Sequence, residues 1–218
     1  MKMKPSMFIR IAQPCIMLFC AVAFAQDIKP IELPKPQMDG GRPLMQVLKD
    51  RHTTRVFSTE KLSAQALSNL LWAAFGVNRP STGGRTAPSA MNWQEIDVYI
   101  ATADGLFLYD AKFNLLKPIV KEDVRALTGS QPFVKDAPVN LIFVSDLART
   151  SRASSEDRDL YTGADAGFIS QNVYLFCASE GLATVVRGSV DRAALAKVMK
   201  LRPDQRIVLA QSVGKPKL

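Results

Sequence analysis

Three short stretches of this chain combine residue types that could do chemistry. Arg51-His52-Thr53-Thr54-Arg55 places two fixed positive charges, an imidazole and two hydroxyls within five residues. Such a set can grip a phosphate through charge-assisted hydrogen bonds, and it can equally be the solvated end of a helix. Pro88-Ser89-Ala90-Met91-Asn92-Trp93-Gln94 sets two amides, Asn92 and Gln94, two residues apart where a loop gives way to a strand. That spacing turns both to one side, and an amide both donates and accepts, as the polar edge of a flat heteroaromatic ligand requires. In the third stretch, Glu180 to Gly188, an apolar strand ends in a glycine whose bare backbone lets N–H groups approach such a ring closely. The plain alternative there is a helix-turn-strand connection.

Other catalytic arrangements are missing. With His52 the one histidine, a His-rich metal site is excluded. No Gly-x-Ser-x-Gly elbow is present, and Cys177 falls inside a helical pattern. Neither a Gly-x-x-x-x-Gly-Lys phosphate loop nor a Gly-x-Gly-x-x-Gly fingerprint occurs. If the protein is an enzyme, a bound cofactor carries its reaction.

In their order along the chain, the three stretches resemble the FMN-dependent nitroreductase family. The pattern there is Arg-x-Ser/Thr-x-Arg, then Pro-Ser-x-x-Asn-x-Gln, then Gly-Leu and a strand beneath the flavin. The likeness runs from about Pro43 to Lys215, and Asn92 with Gln94 is its most specific part. The resemblance implies that Arg51, Thr53 and Arg55 hold the FMN phosphate or the polar edge of the flavin, with His52 close by. It implies that Asn92 bonds to the ring and Gln94 supports that edge, while Ser89 and Ala90 approach the flavin of the other subunit. Gly188 would offer its N–H to flavin N5, Arg187 would lie alongside and stabilise an anionic reduced ring, and Lys215 or Lys217 would complete the phosphate clamp. A departure is Gly188 itself, since the family often carries an acidic residue there. The substrate side falls in the variable segments Gln131 to Asp136 and Arg149 to Tyr161, which identify no substrate.

The family's activity is an expectation of the same kind. Electron pairs pass from NAD(P)H or another donor through FMN to a nitro, quinone or similar small acceptor, with no side chain as nucleophile. The partners implied are a second copy of the chain, the reductant and the acceptor. A non-catalytic flavin-binding protein of the same fold is the alternative, and a secreted domain without cofactor is a third.

The elements that must position these residues follow from periodicity. Pro43 suits a first helical turn, with Leu44, Val47 and Leu48 on one face. Ser63 is an N-cap for a helix through Leu67, Leu70, Leu71 and Ala74, ended by Gly76, and Asn78 to Ala90 is a loop. Ile96, Val98 and Ile100 alternate as a half-buried strand, and Ala103-Asp104-Gly105 turns it into a partner at Leu106 to Asp110. A short helix near Glu122 to Leu127 precedes Val139 to Ser145, an apolar run suited to a strand buried on both faces. Arg149 to Asp159 is polar enough for a surface loop. Ala164 to Glu180 is helical and apolar on more than one side, ended by Gly181. Ala183 to Val186 is a strand, Asp191 caps a helix to Met199, and Arg206 to Gln211 is a last strand. The whole predicts an α+β fold, an antiparallel-centred sheet flanked by helices and dimerised through the long buried helix.

The amino terminus has signal-peptide order: Lys2, Lys4 and Arg10, an apolar run from Cys15 to Ala25, and small residues at Ala23 and Ala25. Cleavage before Gln26 is expected, giving an exported, periplasmic or secreted protein. The run is too short to span a bilayer, so no stable membrane insertion is expected after cleavage. Residues 26 to 42, with Pro30, Pro34, Pro36 and Gly40-Gly41, form an extended linker or arm, and 43 to 218 form one domain. Of 28 basic residues the signal removes three, leaving a modest excess over 20 acidic ones and no clustering that argues for nucleic acid. Cys177 is left as the lone cysteine, a buried apolar residue rather than half of a disulfide.

Overall fold

Strands that are apolar on both faces need cover on both faces, and this requirement shapes the molecule. The computed structural model describes Met1, residues 29–150 and residues 152–217. The expected export segment, residues 1–25, lies outside the described residues but for Met1. In chain order the elements are β1 (Ile31–Glu32), α1 (Leu44–Asp50), α2 (Ala64–Phe75), β2 (Val77–Arg79), β3 (Gly84–Arg85), β4 (Ile96–Thr102), β5 (Gly105–Asp110) and β6 (Leu115–Val120). They continue with β7 (Val139–Asp146), α3 (Ser155–Glu180), β8 (Ala183–Arg187), α4 (Arg192–Val198) and β9 (Gln205–Gly214).

Seven strands form one antiparallel sheet in the order β1-β6-β5-β4-β7-β9-β8, and β2 with β3 makes a separate two-stranded ribbon. On one face Val98, Ile100, Phe107, Leu141 and Phe143 pack against Leu70 and Leu71 of α2 and Ile169, Val173 and Cys177 of α3. On the other, Tyr99, Ala101, Leu106, Ile142 and Val144 meet Leu195 and Met199 beside α4. The hairpin β4–β5 forms as the alternation predicts, yet β4 is buried on both faces rather than one. Β7 is an interior strand buried along its whole length.

The caps expected from sequence are in place. Ser63 accepts the Ala66 N–H, Asp191 accepts the Ala194 N–H, and Gly181 ends α3 at φ +68°, a conformation that costs glycine nothing. Cys177 is buried and free. Other expectations are corrected. The segment Arg149 to Asp159 is not a loop throughout: Ser154 caps α3 by accepting the Asp157 N–H, and Glu156 and Asp157 favour the positive end of the helix dipole. The apolar pattern stops at Ala164, but the helix starts about two turns earlier on capping and charge. Β6 is an unpredicted strand, the expected helix near Glu122 is a 3-10 turn at Arg125–Thr128, and the loop from Asn78 contains the β2–β3 ribbon. In α1 only Val47 is buried, leaving Leu44 and Leu48 on the surface.

Candidate functional site

The basic stretch begins where α1 stops. Arg51 gives its backbone N–H to Val47 O (2.8 Å) and leaves the helix at ψ 116°, so the next residues run extended. Thr54 N–H bonds Thr184 O of β8 (3.0 Å), Ser58 N–H bonds Lys215 O (2.9 Å), and the Lys217 N–H reaches Val56 O at 3.5 Å. The segment is thus laid between the start of β8 and the carboxyl-terminal tail. Tyr174 of α3 fixes it there. Its hydroxyl lies 3.0 Å from Thr53 Oγ1 and accepts the Val186 N–H at 3.0 Å, and the Arg51 guanidinium stands 5.3 Å from the ring centroid.

Arg55 and Lys217 are exposed, and their charged groups have no hydrogen-bond or ion-pair partner among the described residues. Lys215 is instead engaged by Glu60 (2.5 Å) in a solvated pair, which holds it only weakly. His52 is exposed too, with Nδ1 2.7 Å from Asp50 O at the end of α1. A Cβ built on Gly188 would meet Arg192 Nη2 and Leu209 Cδ2 at 4.0 Å, which are ordinary contacts, so there is space for a side chain at the end of β8.

Arg187 does not lie alongside that space, and this corrects the sequence expectation. It is 6% exposed, and its guanidinium bonds Thr128 O, Thr128 Oγ1 (3.1 Å), Asn140 Oδ1 (2.6 Å) and Ser212 Oγ (3.1 Å). Strand alternation is the reason: Arg187 shares a face with Val185, which packs in the core with Phe57, Ala137 and Ala183. Burial pushes its pKa down to about 10, and Nε has no partner. It is a buried structural cation.

The second group sits along Ser89–Gln94. Met91, Asn92 and Gln94 all take left-handed backbone conformations, at φ 50°, 55° and 49°. Non-glycine residues hold such angles only when their surroundings impose them. Here the Ala90 N–H donates to Asp165 Oδ2 (2.9 Å), the Gln94 N–H donates to Ser89 Oγ (2.8 Å), and Arg149 donates to Gln94 O (2.8 Å). Trp93 packs edge-on against Tyr161 at 6.0 Å. Gln94 is consumed internally: its Oε1 accepts from Arg85 Nε (2.9 Å), and its Nε2 donates to Gly83 O (3.2 Å) and Asn92 Oδ1 (3.0 Å). Asn92 and Gln94 do face one side, through the kinked turn rather than through strand alternation. Asn92 is exposed and keeps its amide NH₂ for a ligand.

Tyr174, Asp165, Arg85 and Arg149 were not singled out by sequence. Tyr174 and Asp165 look like ordinary members of a buried helix, and nothing local marks them. Beneath the turn, Glu95 is fully buried and neither carboxyl oxygen has a partner. Burial first, and Asp165 next to it, push its pKa up to about 7.

Tyr174 and Asp165 lie nine residues apart on α3, roughly 13 Å along its axis and at opposite edges of its buried half. Among the described residues no hydrogen bond or ion pair joins the two groups. A groove of about 840 Å³ lies elsewhere, between the arm at Gln37–Arg42, α2 and the outer side of α3, and none of the predicted site residues lines it. Among the described residues there is no cluster suited to a metal ion, and no helix is long and apolar enough to cross a membrane.

Known proteins resemble this chain over most of its length. The sequence profile of the nitroreductase family matches residues 48–215. A candidate nitroreductase of Methanocaldococcus jannaschii is 30% identical over 169 residues, 73% of this chain and 85% of that protein. A crystal structure of a candidate nitroreductase from Ralstonia eutropha superposes with a TM-score of 0.83 at 42% identity, covering 87% of this chain and 90% of the other. An NADPH:FMN oxidoreductase of Vibrio harveyi, solved with NAD⁺, shares the fold at 18% identity and TM-score 0.61, over 80% of this chain and 69% of its own.

Proposed function

Because the chain belongs to the nitroreductase family, we propose that it is an FMN-dependent oxidoreductase working as a homodimer, passing electron pairs from a donor such as NAD(P)H to a small nitro, quinone-like or similar acceptor. When bound, FMN supplies the two-electron chemistry, and the chain's own residues bind, orient and shield. One observation carries the reading: the Tyr174 hydroxyl ties Thr53 and the Val186 N–H together. It fixes the Arg51–Arg55 basic strip against β8, as a phosphate-bearing ligand needs.

The residues fit such a ligand. Arg51 is held over Tyr174, while Arg55 and Lys217 offer unpaired cations for a phosphate. Gly188 leaves room for close approach. Ser89, Ala90 and Asn92 sit on a turn anchored to the other edge of α3, which suits a contribution to the second subunit's site. The outer face of α3 supports that pairing, since Tyr161, Phe168 and Leu175 recur every seven residues, with Tyr161 and Phe168 exposed. The amino-terminal sequence supports export. Outside the cytoplasm free NAD(P)H is scarce, so a redox protein or a quinol is then the physiological donor, with NADPH serving as donor to the purified protein.

The test is FMN affinity, read by quenching of flavin fluorescence. Arg55→Ala should weaken binding by roughly tenfold or more, the scale of one charge-assisted phosphate contact, while lumiflavin, which lacks the phosphate, should bind both proteins alike. Unchanged FMN affinity in Arg55→Ala together with Lys217→Ala would remove the basic strip from the site.

A further inference from the structure

Beneath the Ser89–Gln94 turn lie two carboxyls that the electron-transfer reading does not use. Glu95 is fully buried and Asp165 is 1% exposed. Asp165 accepts the Ala90 N–H and is within hydrogen-bonding reach of Glu95. Both Glu95 oxygens lack a partner as long as both groups are anions, because two acceptors cannot bond each other. A single proton removes the conflict. The turn above is held in three left-handed residues and needs every tether it has.

We propose that Glu95 and Asp165 share one proton, and that this proton positions the Ser89–Gln94 turn. Protonated Glu95 donates to Asp165, which stays aligned to accept the Ala90 N–H. Loss of the proton leaves two buried anions that separate and release the turn, lowering flavin affinity.

The surrounding charges are arranged for this. Arg149, on the turn after β7, favours the Glu95 anion but is paired with Asp97 on β4 (2.9 Å) and Asp146 on β7 (3.4 Å). Arg85 on β3 is occupied by Gln94, and on α3 Asp165 opposes ionisation while Thr162 bonds Ser145 of β7 (3.2 Å). Burial is the main reason the proton stays, with Asp165 adding to it. The effect on flavin rests on the proposed function above, whereas the shared proton does not.

The full chain labelled with fluorotryptophan reads the turn without flavin, because Trp93 lies within it and Trp93→Phe assigns its fluorine signal. On raising pH from mildly acidic to mildly alkaline, the Trp93 signal should titrate in step with loss of the infrared band of a protonated carboxylic acid. FMN affinity should fall severalfold over the same range. In Glu95→Gln, which is always neutral and still donates to Asp165, the signal and the affinity should be flat. A Trp93 transition that survives in Glu95→Gln overturns the proposal, as does wild-type protein in which the two transitions do not coincide. The second criterion needs no variant and decides the matter if Glu95→Gln does not fold. Coincident transitions in a protein that binds no FMN at any pH would keep the shared proton and remove the flavin reading.

Discussion

At the scale of residues, the site depends on side chains that reach across the chain. Tyr174 joins Thr53, 121 residues away in sequence, to the β8 backbone. Glu95 has a second consequence, for stability. Its carboxyl, ordinarily at 4.5, is pushed up to about 7 by burial and then by Asp165, so the native state keeps a proton that the unfolded chain releases. The contribution is present in full below about 4.5 and is lost as pH rises through about 7. Urea unfolding should therefore show wild-type stability falling across this window while Glu95→Gln falls less. Parallel pH profiles for the two would contradict the assignment. The legible part of the site was the part contiguous in sequence: Arg51 to Arg55 and Ser89 to Gln94 announce themselves by composition. Tyr174 and Asp165 acquire meaning only from what the fold sets against them, and Arg187 was misplaced because a strand residue's face depends on register.

At the scale of elements, what sequence conveyed was local chemistry. Ser63, Asp191 and Gly181 mark helix ends because a cap needs only its nearest neighbours. The start of α3 was missed because charged residues from Ser155 to Asp159 resemble a loop, though Ser154 and Asp157 form a helix start. Β6 was missed because Lys117 and Pro118 interrupt its apolar pattern, and its pairing with β1 and β5 is what makes it a strand. Removing the α3 cap with Ser154→Ala should cost about 1 kcal/mol. Thermal unfolding should show a lower midpoint, and circular dichroism should show fraying of the first turn. An unchanged midpoint would mean that α3 is held from Ala164 onward by packing alone.

At the scale of the whole molecule, the two candidate groups occupy opposite edges of one helix, and no hydrogen bond or ion pair joins them among the described residues. The account therefore requires a dimer for a complete site. Phe168→Asp, placed in the middle of the Tyr161–Phe168–Leu175 stripe, where Tyr161 and Phe168 are exposed, should yield a folded monomer by light scattering that binds FMN weakly. A monomer that retains full FMN affinity would confine the site to one chain. The central claim is tested most directly by the visible spectrum of the purified protein after excess FMN is removed and NADPH is added without oxygen. The account predicts bound flavin that bleaches and recovers its colour when an acceptor such as a quinone is added. Flavin that stays yellow with NADPH and every other reductant tried would favour a binding role without turnover, and a colourless protein that takes up no FMN would contradict the account.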